Sequence, residues 1–147
     1  MIHEQMMRLA LDEAARSGDD VPVGAVVVKD DAVIASAHNE RETAGSPLAH
    51  AELLALERAA KALNTRRLAG CALYVTLEPC PMCAGAIIFS GIDLCVFGAH
   101  DTKYGCCGSV YALPADPAFD HNVALVGGVL DRECAALLRS FFDERRR

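Results

Sequence analysis

The sequence predicts a layered α/β fold built around one mixed β-sheet flanked by helices. Three observations carry this. Short apolar runs of strand type alternate along the chain with longer segments of helical periodicity. Hydrophobic residues make up 52% of the chain and charged residues 23%, which is the balance of a folded chain and not of a disordered one. At 147 residues the length suits one domain, spanning 1–147, with one sizeable core.

Residues 3–16 read as a helix, with Met6, Met7, Leu9, Ala10, Leu11, Ala14 and Ala15 on a broad apolar face and Gly18 as a stop. Val23 to Val28 is a strand-type run, Asp30-Asp31 a turn, and Val33 to Ala37 a second strand. Together they make a hairpin without the usual Asn-Gly or Asp-Gly. Residues 39–48 are polar, contain Gly45 and Pro47, and read as a loop. A second helix runs from His50 to about Ala62 with Leu53, Leu54, Leu56, Ala59 and Ala60 as its stripe. Leu73 to Leu77 is a short buried-type strand. A third helix starts at Pro81, where a missing N–H costs nothing, and ends before Gly91. Leu94 to Phe97 is the next strand. Residues 100–121 are irregular, and such a stretch inside a compact domain is usually functional or mobile. Val123 to Val126 reads as the last strand, and Asp131 to Arg146 as a closing helix capped by Asp131.

Charge and cysteine usage narrow the function. The net charge is −6, which argues against a general nucleic-acid binder. The charge is uneven: residues 1–57 carry 4 Lys/Arg against 11 Asp/Glu, and residues 58–147 carry 10 against 9. A phosphate footprint would therefore be local and confined to the second part. Seven cysteines, an odd number, with no apparent export signal, argue for reduced thiols, some of them on a metal. No apolar run approaches the roughly 20 residues that span a bilayer. The expectation is a soluble cytoplasmic protein with no membrane association.

The chemistry concentrates in His50-Ala51-Glu52 and, further on, Leu77-Glu78-Pro79-Cys80-Pro81-Met82-Cys83. His50, Cys80 and Cys83 supply the three protein ligands of a catalytic zinc site, with the fourth tetrahedral position left to water. Cys-x-x-Cys at the first turn of a helix puts both thiols on one side. The unpaired N–H groups there favour thiolates. Zinc brings the pKa of bound water to roughly 7, and Glu52, two residues from a ligand, is placed to move that water's proton to a leaving amine. Such a site hydrolyses an amidine-type carbon to a carbonyl and releases ammonia. A lone Cys-x-x-Cys could equally be redox-active or structural, and a four-cysteine site recruiting Cys106 or Cys107 would leave no place for water. Cys71, Cys95 and Cys134 adjoin apolar runs and read as small core residues. Taken jointly, the residues match the zinc deaminase signature H-x-E…P-C-x-x-C.

With these residues in place the chain resembles the bacterial tRNA adenosine deaminases of the cytidine-deaminase-like superfamily. The resemblance runs through Val21-Pro22-Val23-Gly24-Ala25-Val26, His38-Asn39-Glu40, Ala49-His50-Ala51-Glu52 and Tyr74 to Ile87. It continues in Phe97-Gly98-Ala99-His100-Asp101, Lys103, Gly105, Gly108-Ser109, Glu133 to Leu138 and Phe141-Phe142. It implies a three-layer cytidine-deaminase-like fold, one Zn2+ per subunit on His50, Cys80 and Cys83, and Glu52 as proton shuttle. It implies that Asn39 hydrogen-bonds the purine, that Val23 and the backbone at Ala49 line the base pocket, and that Glu78-Pro79 shapes the approach. Asp101, His100 and Lys103 would contact nucleotides beside the target. The last helix, with Phe142 and the terminal arginines, would lie along the RNA. The implied partners are the tRNA anticodon stem-loop and a second copy in a homodimer. The implied reaction turns the wobble adenosine into inosine. In this family small residues are common at the place of Cys106-Cys107, and an Arg is familiar at that of His100. Two other readings stay open: a deaminase of free guanine or cytosine, and a zinc-stabilised binding module without turnover.

Overall fold

Two clusters of buried side chains, one on each face of a single sheet, account for the architecture. The computed structural model describes residues 2–146. Five strands form the sheet: β1 (Gly24–Lys29), β2 (Ala32–His38), β3 (Cys71–Leu77), β4 (Leu94–Ala99) and β5 (Ala124–Val126). Their spatial order is β2-β1-β3-β4-β5. β1 pairs antiparallel with both β2 and β3, whereas β3, β4 and β5 run parallel, so the sheet is mixed as expected. The helices are α1 (Ile2–Ala14), α2 (Ala51–Ala62), α3 (Pro81–Ser90) and α4 (Asp131–Arg145).

Side chains alternate across a strand, and the two clusters follow that alternation. Ala25 and Val27 of β1, Leu73 and Val75 of β3, and Cys95 and Phe97 of β4 pack with Ala55, Leu56 and Ala59 of α2 and Ile87 of α3. Val26 and Val28, Tyr74 and Val96 pack on the opposite face with Met6, Met7 and Ala10 of α1 and Cys134 of α4. The result is three layers: α1 and α4, the sheet, then α2 and α3. Cys71, Cys95 and Cys134 are all buried, as small core residues should be.

Local details depart from the sequence reading at two points. The β1–β2 turn places both Asp30 (φ 50°) and Asp31 (φ 62°) in the left-handed region. This is what a two-residue primed hairpin turn requires, and a short polar side chain tolerates it without glycine. Asp131 does not cap α4. The N-cap is Leu130 at φ 53°, and Asp131 is the first helical residue, its carboxylate accepting from the amide of Arg132 at 2.9 Å. Its charge still sits in the first turn, where the exposed N–H groups favour it. Gly91 ends α3 at φ 72°, a left-handed cap that suits glycine. The stretch 100–121 is irregular, as expected, with one 3-10 turn at Leu113–Ala115. The expected terminal arginines include Arg147, which lies outside the described residues.

Candidate active site

The site forms at the carboxyl ends of the parallel strands β3 and β4, where two helices begin. His50 is the N-cap of α2 and Cys80 the N-cap of α3, both with extended backbone. Neither side chain caps its own helix, so both turn toward a shared point. Cys83, in the first turn of α3, joins them. His50 Nδ1 lies 3.7 Å from Cys80 Sγ and 3.5 Å from Cys83 Sγ. All three donor atoms fall within 4.8 Å of one another, and no other such group occurs among the described residues.

The donor set fits zinc. Tetrahedral bonds of about 2.1 Å to nitrogen and about 2.3 Å to sulfur put those two atoms ~3.6 Å apart, and the two observed separations bracket that value. One imidazole and two thiols from protein leave a fourth position, the pattern of a catalytic site. Cys106 and Cys107 are buried outside this group, so the four-cysteine arrangement does not form. The Cys107 amide instead donates to Glu78 Oε2 at 3.1 Å.

Electrostatics place negative charge on one donor, Cys80. The Cys80 thiol is pushed down to about 4, first by the hydrogen bond from Cys83, with His50 adding a second against the cost of burial. The same hydrogen bond and burial push Cys83 up. His50 is raised because Cys80 stabilises its protonated form. Glu52, in the first turn of α2, is only 4% exposed. Burial pushes its carboxyl up to about 7, against the opposing pull of its own backbone amide and of His50. A carboxylate held near neutrality beside a metal site can both accept and donate a proton at physiological pH.

His50, Cys80 and Glu52 lie in the wall of a cavity of about 670 Å³, within the range of small-ligand pockets. Val21, Val23, Asn39, Arg41, Leu77, Glu78, Pro81, Met82 and Asp101 also line it, as does Tyr104, whose 56% exposure puts it at the open edge. Asn39 is 8% exposed; its amide nitrogen donates to Val21 O at 3.1 Å and its oxygen accepts from Arg41 N at 3.1 Å. One N–H and one lone pair of that amide remain. Of the residues singled out from the sequence, Val23, Asn39, His50, Glu52, Cys80 and Asp101 meet at this cavity, and Cys83 meets them at the donor cluster. Ala49, Pro79, His100, Lys103 and Phe142 are not in its wall. Ala49 and Pro79 are buried behind it; Pro79 O accepts from Cys106 N at 2.8 Å. His100 packs edge-on against Phe97, with ring centroids 5.1 Å apart, and its Nδ1 lies 3.7 Å from Glu78 Oε1. Lys103 sits over the Tyr104 ring, 5.6 Å from its centroid. Phe142 is exposed near the end of α4.

Sequence reasoning missed Val21, Arg41, Met82 and Tyr104 as wall residues. Arg41 and Val21 had a signal, since both flank residues already chosen; Tyr104 had none beyond its place in an irregular stretch.

Comparison with known proteins agrees with this geometry. Residues 1–99 match the family described as cytidine and deoxycytidylate deaminase zinc-binding region. This chain is a zinc-dependent deaminase of that family. It is 48% identical to a tRNA-specific adenosine deaminase of Bacillus subtilis, across 98% of this chain and 91% of that protein. A structure solved in a study of A-to-I editing by tRNA:A34 deaminases superposes with a TM-score of 0.86 at 41% identity, covering 90% of this chain and 98% of that one. A guanine deaminase from Nitrosomonas europaea superposes with a TM-score of 0.82 at 27% identity, covering 94% and 83%. His50, Cys80 and Cys83 form the candidate site for the zinc of this family, and their separations fit it.

Proposed function

We propose that this deaminase acts on tRNA, hydrolysing the wobble adenosine of the anticodon loop to inosine with release of ammonia. One observation carries the reading. A buried carboxylate stands beside a three-donor candidate zinc site at a cavity roomy enough for a nucleobase, in a chain 48% identical, over nearly its whole length, to a tRNA-specific adenosine deaminase.

Bound zinc would supply a water acidic enough to ionise near neutral pH. The rest follows from the chain's own side chains. Val21 and Val23 give the purine an apolar wall, and Asn39 offers it the remaining donor and acceptor of its amide. Glu52 takes one proton from the attacking water and gives it to purine N1 as the C6–O bond forms, then moves the second from the new C6 hydroxyl to the exocyclic nitrogen, so that the C6–N6 bond breaks, C6 keeps the oxygen and ammonia leaves. An anticodon loop presents its base already unpaired, so little unstacking energy is needed to bring it in.

The reading includes a homodimer with the RNA site shared across the interface, and a cytoplasmic location. Phe89 on α3 is 88% exposed and is free to take part in such an interface. Among the described residues no helix is long and apolar enough to cross a membrane.

The likeness to a guanine deaminase favours one rival, turnover of a free base. A non-catalytic zinc module is disfavoured by Glu52, because a structural site has no use for a buried carboxylate raised toward neutrality. The test is a competition. Zinc-loaded protein is given an anticodon stem-loop with a wobble adenosine, the same sequence with that adenosine paired in a duplex, and free guanine, cytosine and adenosine. Inosine in the unpaired stem-loop alone is expected; ammonia from a free base alone overturns the reading.

A further inference from the structure

The mouth of the cavity is held by a carboxylate that the chemistry does not use. Glu78 follows β3, and its side chain has no exposed surface. A buried carboxylate needs donors on both oxygens, and here the loop that follows β4 supplies them. Oε1 accepts from the amide of Asp101 at 3.0 Å and from the hydroxyl of Ser109. Oε2 accepts from the amides of Cys107 at 3.1 Å and Ser109 at 2.9 Å. Gly105 passes so close that an added Cβ would overlap the Glu78 carboxylate and the Asp101 carbonyl. Charge-assisted hydrogen bonds are the strong kind, and four of them on one side chain hold residues 101–109 as a rigid lip.

The lip presents an aromatic ring. Asp101 Oδ1 accepts from the amides of Lys103 at 3.0 Å and Tyr104 at 3.1 Å, which fixes the backbone from which both side chains leave. Tyr104 lines the cavity mouth yet is 56% exposed, with the Lys103 ammonium over its ring. An exposed ring beside a cation, at the open edge of a cavity proposed to take a nucleobase, is the arrangement on which neighbouring unpaired bases stack.

We infer that Tyr104 is a stacking platform for the base next to the target nucleotide, and that Glu78 is the positioning residue that holds the platform at the cavity mouth. This rests on the RNA reading above. It adds a subsite to that reading and gives the buried carboxylate of the Glu-Pro-Cys segment a role distinct from the zinc donors.

The experiment uses the zinc-loaded protein and a stem-loop carrying 2-aminopurine beside the wobble adenosine, read by fluorescence quenching, together with steady-state deamination. Tyr104→Ala should raise KM about tenfold, the order expected for losing one base stack, and should abolish the quench; kcat should change less. Tyr104→Phe should restore both. Glu78→Gln should give the Tyr104→Ala pattern with Tyr104 intact, keep one zinc per chain, and speed amide hydrogen exchange within 101–109 but not in β1 or β3. Ser109→Ala, which removes a single donor, should move in the same direction by less and serves if Glu78→Gln folds poorly. Tyr104→Ala with unchanged KM and quench overturns the platform. So does a change in dimer mass without loss of quench, which would assign the ring to a second copy. Unchanged exchange, or loss of zinc, in Glu78→Gln overturns its positioning role. Failure of the wild-type protein to deaminate any stem-loop would overturn the RNA reading, while the exchange measurement still judges Glu78.

Discussion

Glu52→Gln separates what the carboxylate does for catalysis from what it costs the fold. The amide keeps the shape and loses the proton. A positioned general acid–base group contributes roughly 10²–10⁴ in rate, or about 3–5 kcal/mol of barrier, so kcat should fall by that factor with zinc still bound. Stability should move the other way in zinc-free protein. The Glu52 carboxyl is pushed up to about 7 from the ordinary 4.5 by burial, and the side chain is nearly inaccessible. Its folded state therefore holds a proton more tightly than the unfolded chain. The associated stability is complete below about pH 4 and is lost as pH rises toward and through the folded value. Between pH 5 and pH 8 the loss amounts to about 2–3 kcal/mol. Gln carries no such penalty, so the stability of the variant relative to wild type should rise by that amount across the interval. In thermal unfolding this is about 5–10 °C for a domain of this size. Zinc-free unfolding scans of both proteins at pH 5 and pH 8, beside single-turnover deamination with zinc, measure the two halves. A variant that gains nothing between pH 5 and pH 8, or that keeps more than a tenth of wild-type kcat, refutes the reasoning.

Other outcomes follow from the same geometry. Cys83→Ser should drop zinc content from one per chain toward none, measured by atomic absorption, and should take activity with it, since one thiolate and one imidazole hold zinc poorly. Removing zinc with a chelator should lower the unfolding temperature and activity together, and adding zinc back should restore both. Asp20 is 1% exposed and accepts from the amides of Glu42 and Thr43 and the Thr43 hydroxyl, which holds the loop carrying Arg41. Asp20→Asn should cost about 1–3 kcal/mol by denaturant unfolding. Burial alone would raise the Asp20 carboxyl, but those hydrogen bonds bring it below its ordinary 3.8. The stability it adds is present above that value and lost as pH falls through the lower folded one, so the gap between variant and wild type should close only in strong acid.

The elements were legible because periodicity is local. Each helix and strand lies within about two residues of its expected bounds, and the two buried faces of the sheet repeat the alternation written in Val26-Val27-Val28 and Cys95-Val96-Phe97. The donors were legible because a zinc site demands few residue types at set spacing, and His50, Cys80 and Cys83 do converge. What pattern could not reveal was long-range and held by side chains. Residues 101–109 have no period, because amides there are collected by Glu78, more than twenty residues upstream. Tyr104 and Arg41 reach the cavity only through such anchors. The N-cap of α4 was assigned one residue too late because Leu130 adopts a left-handed conformation that nothing in its side chain announces.

Hydrolysis of one adenosine in one RNA loop is the reaction on which the other functional expectations depend. Its most direct measurement is to treat full-length tRNA bearing a wobble adenosine with zinc-loaded protein, digest the RNA, and quantify nucleosides by mass alongside released ammonia. The account predicts one inosine per tRNA at the wobble position, matched mole for mole by ammonia, and neither product with Glu52→Gln on the same timescale. Unchanged adenosine in the tRNA, with xanthine or uracil accumulating from free guanine or cytosine, would contradict it.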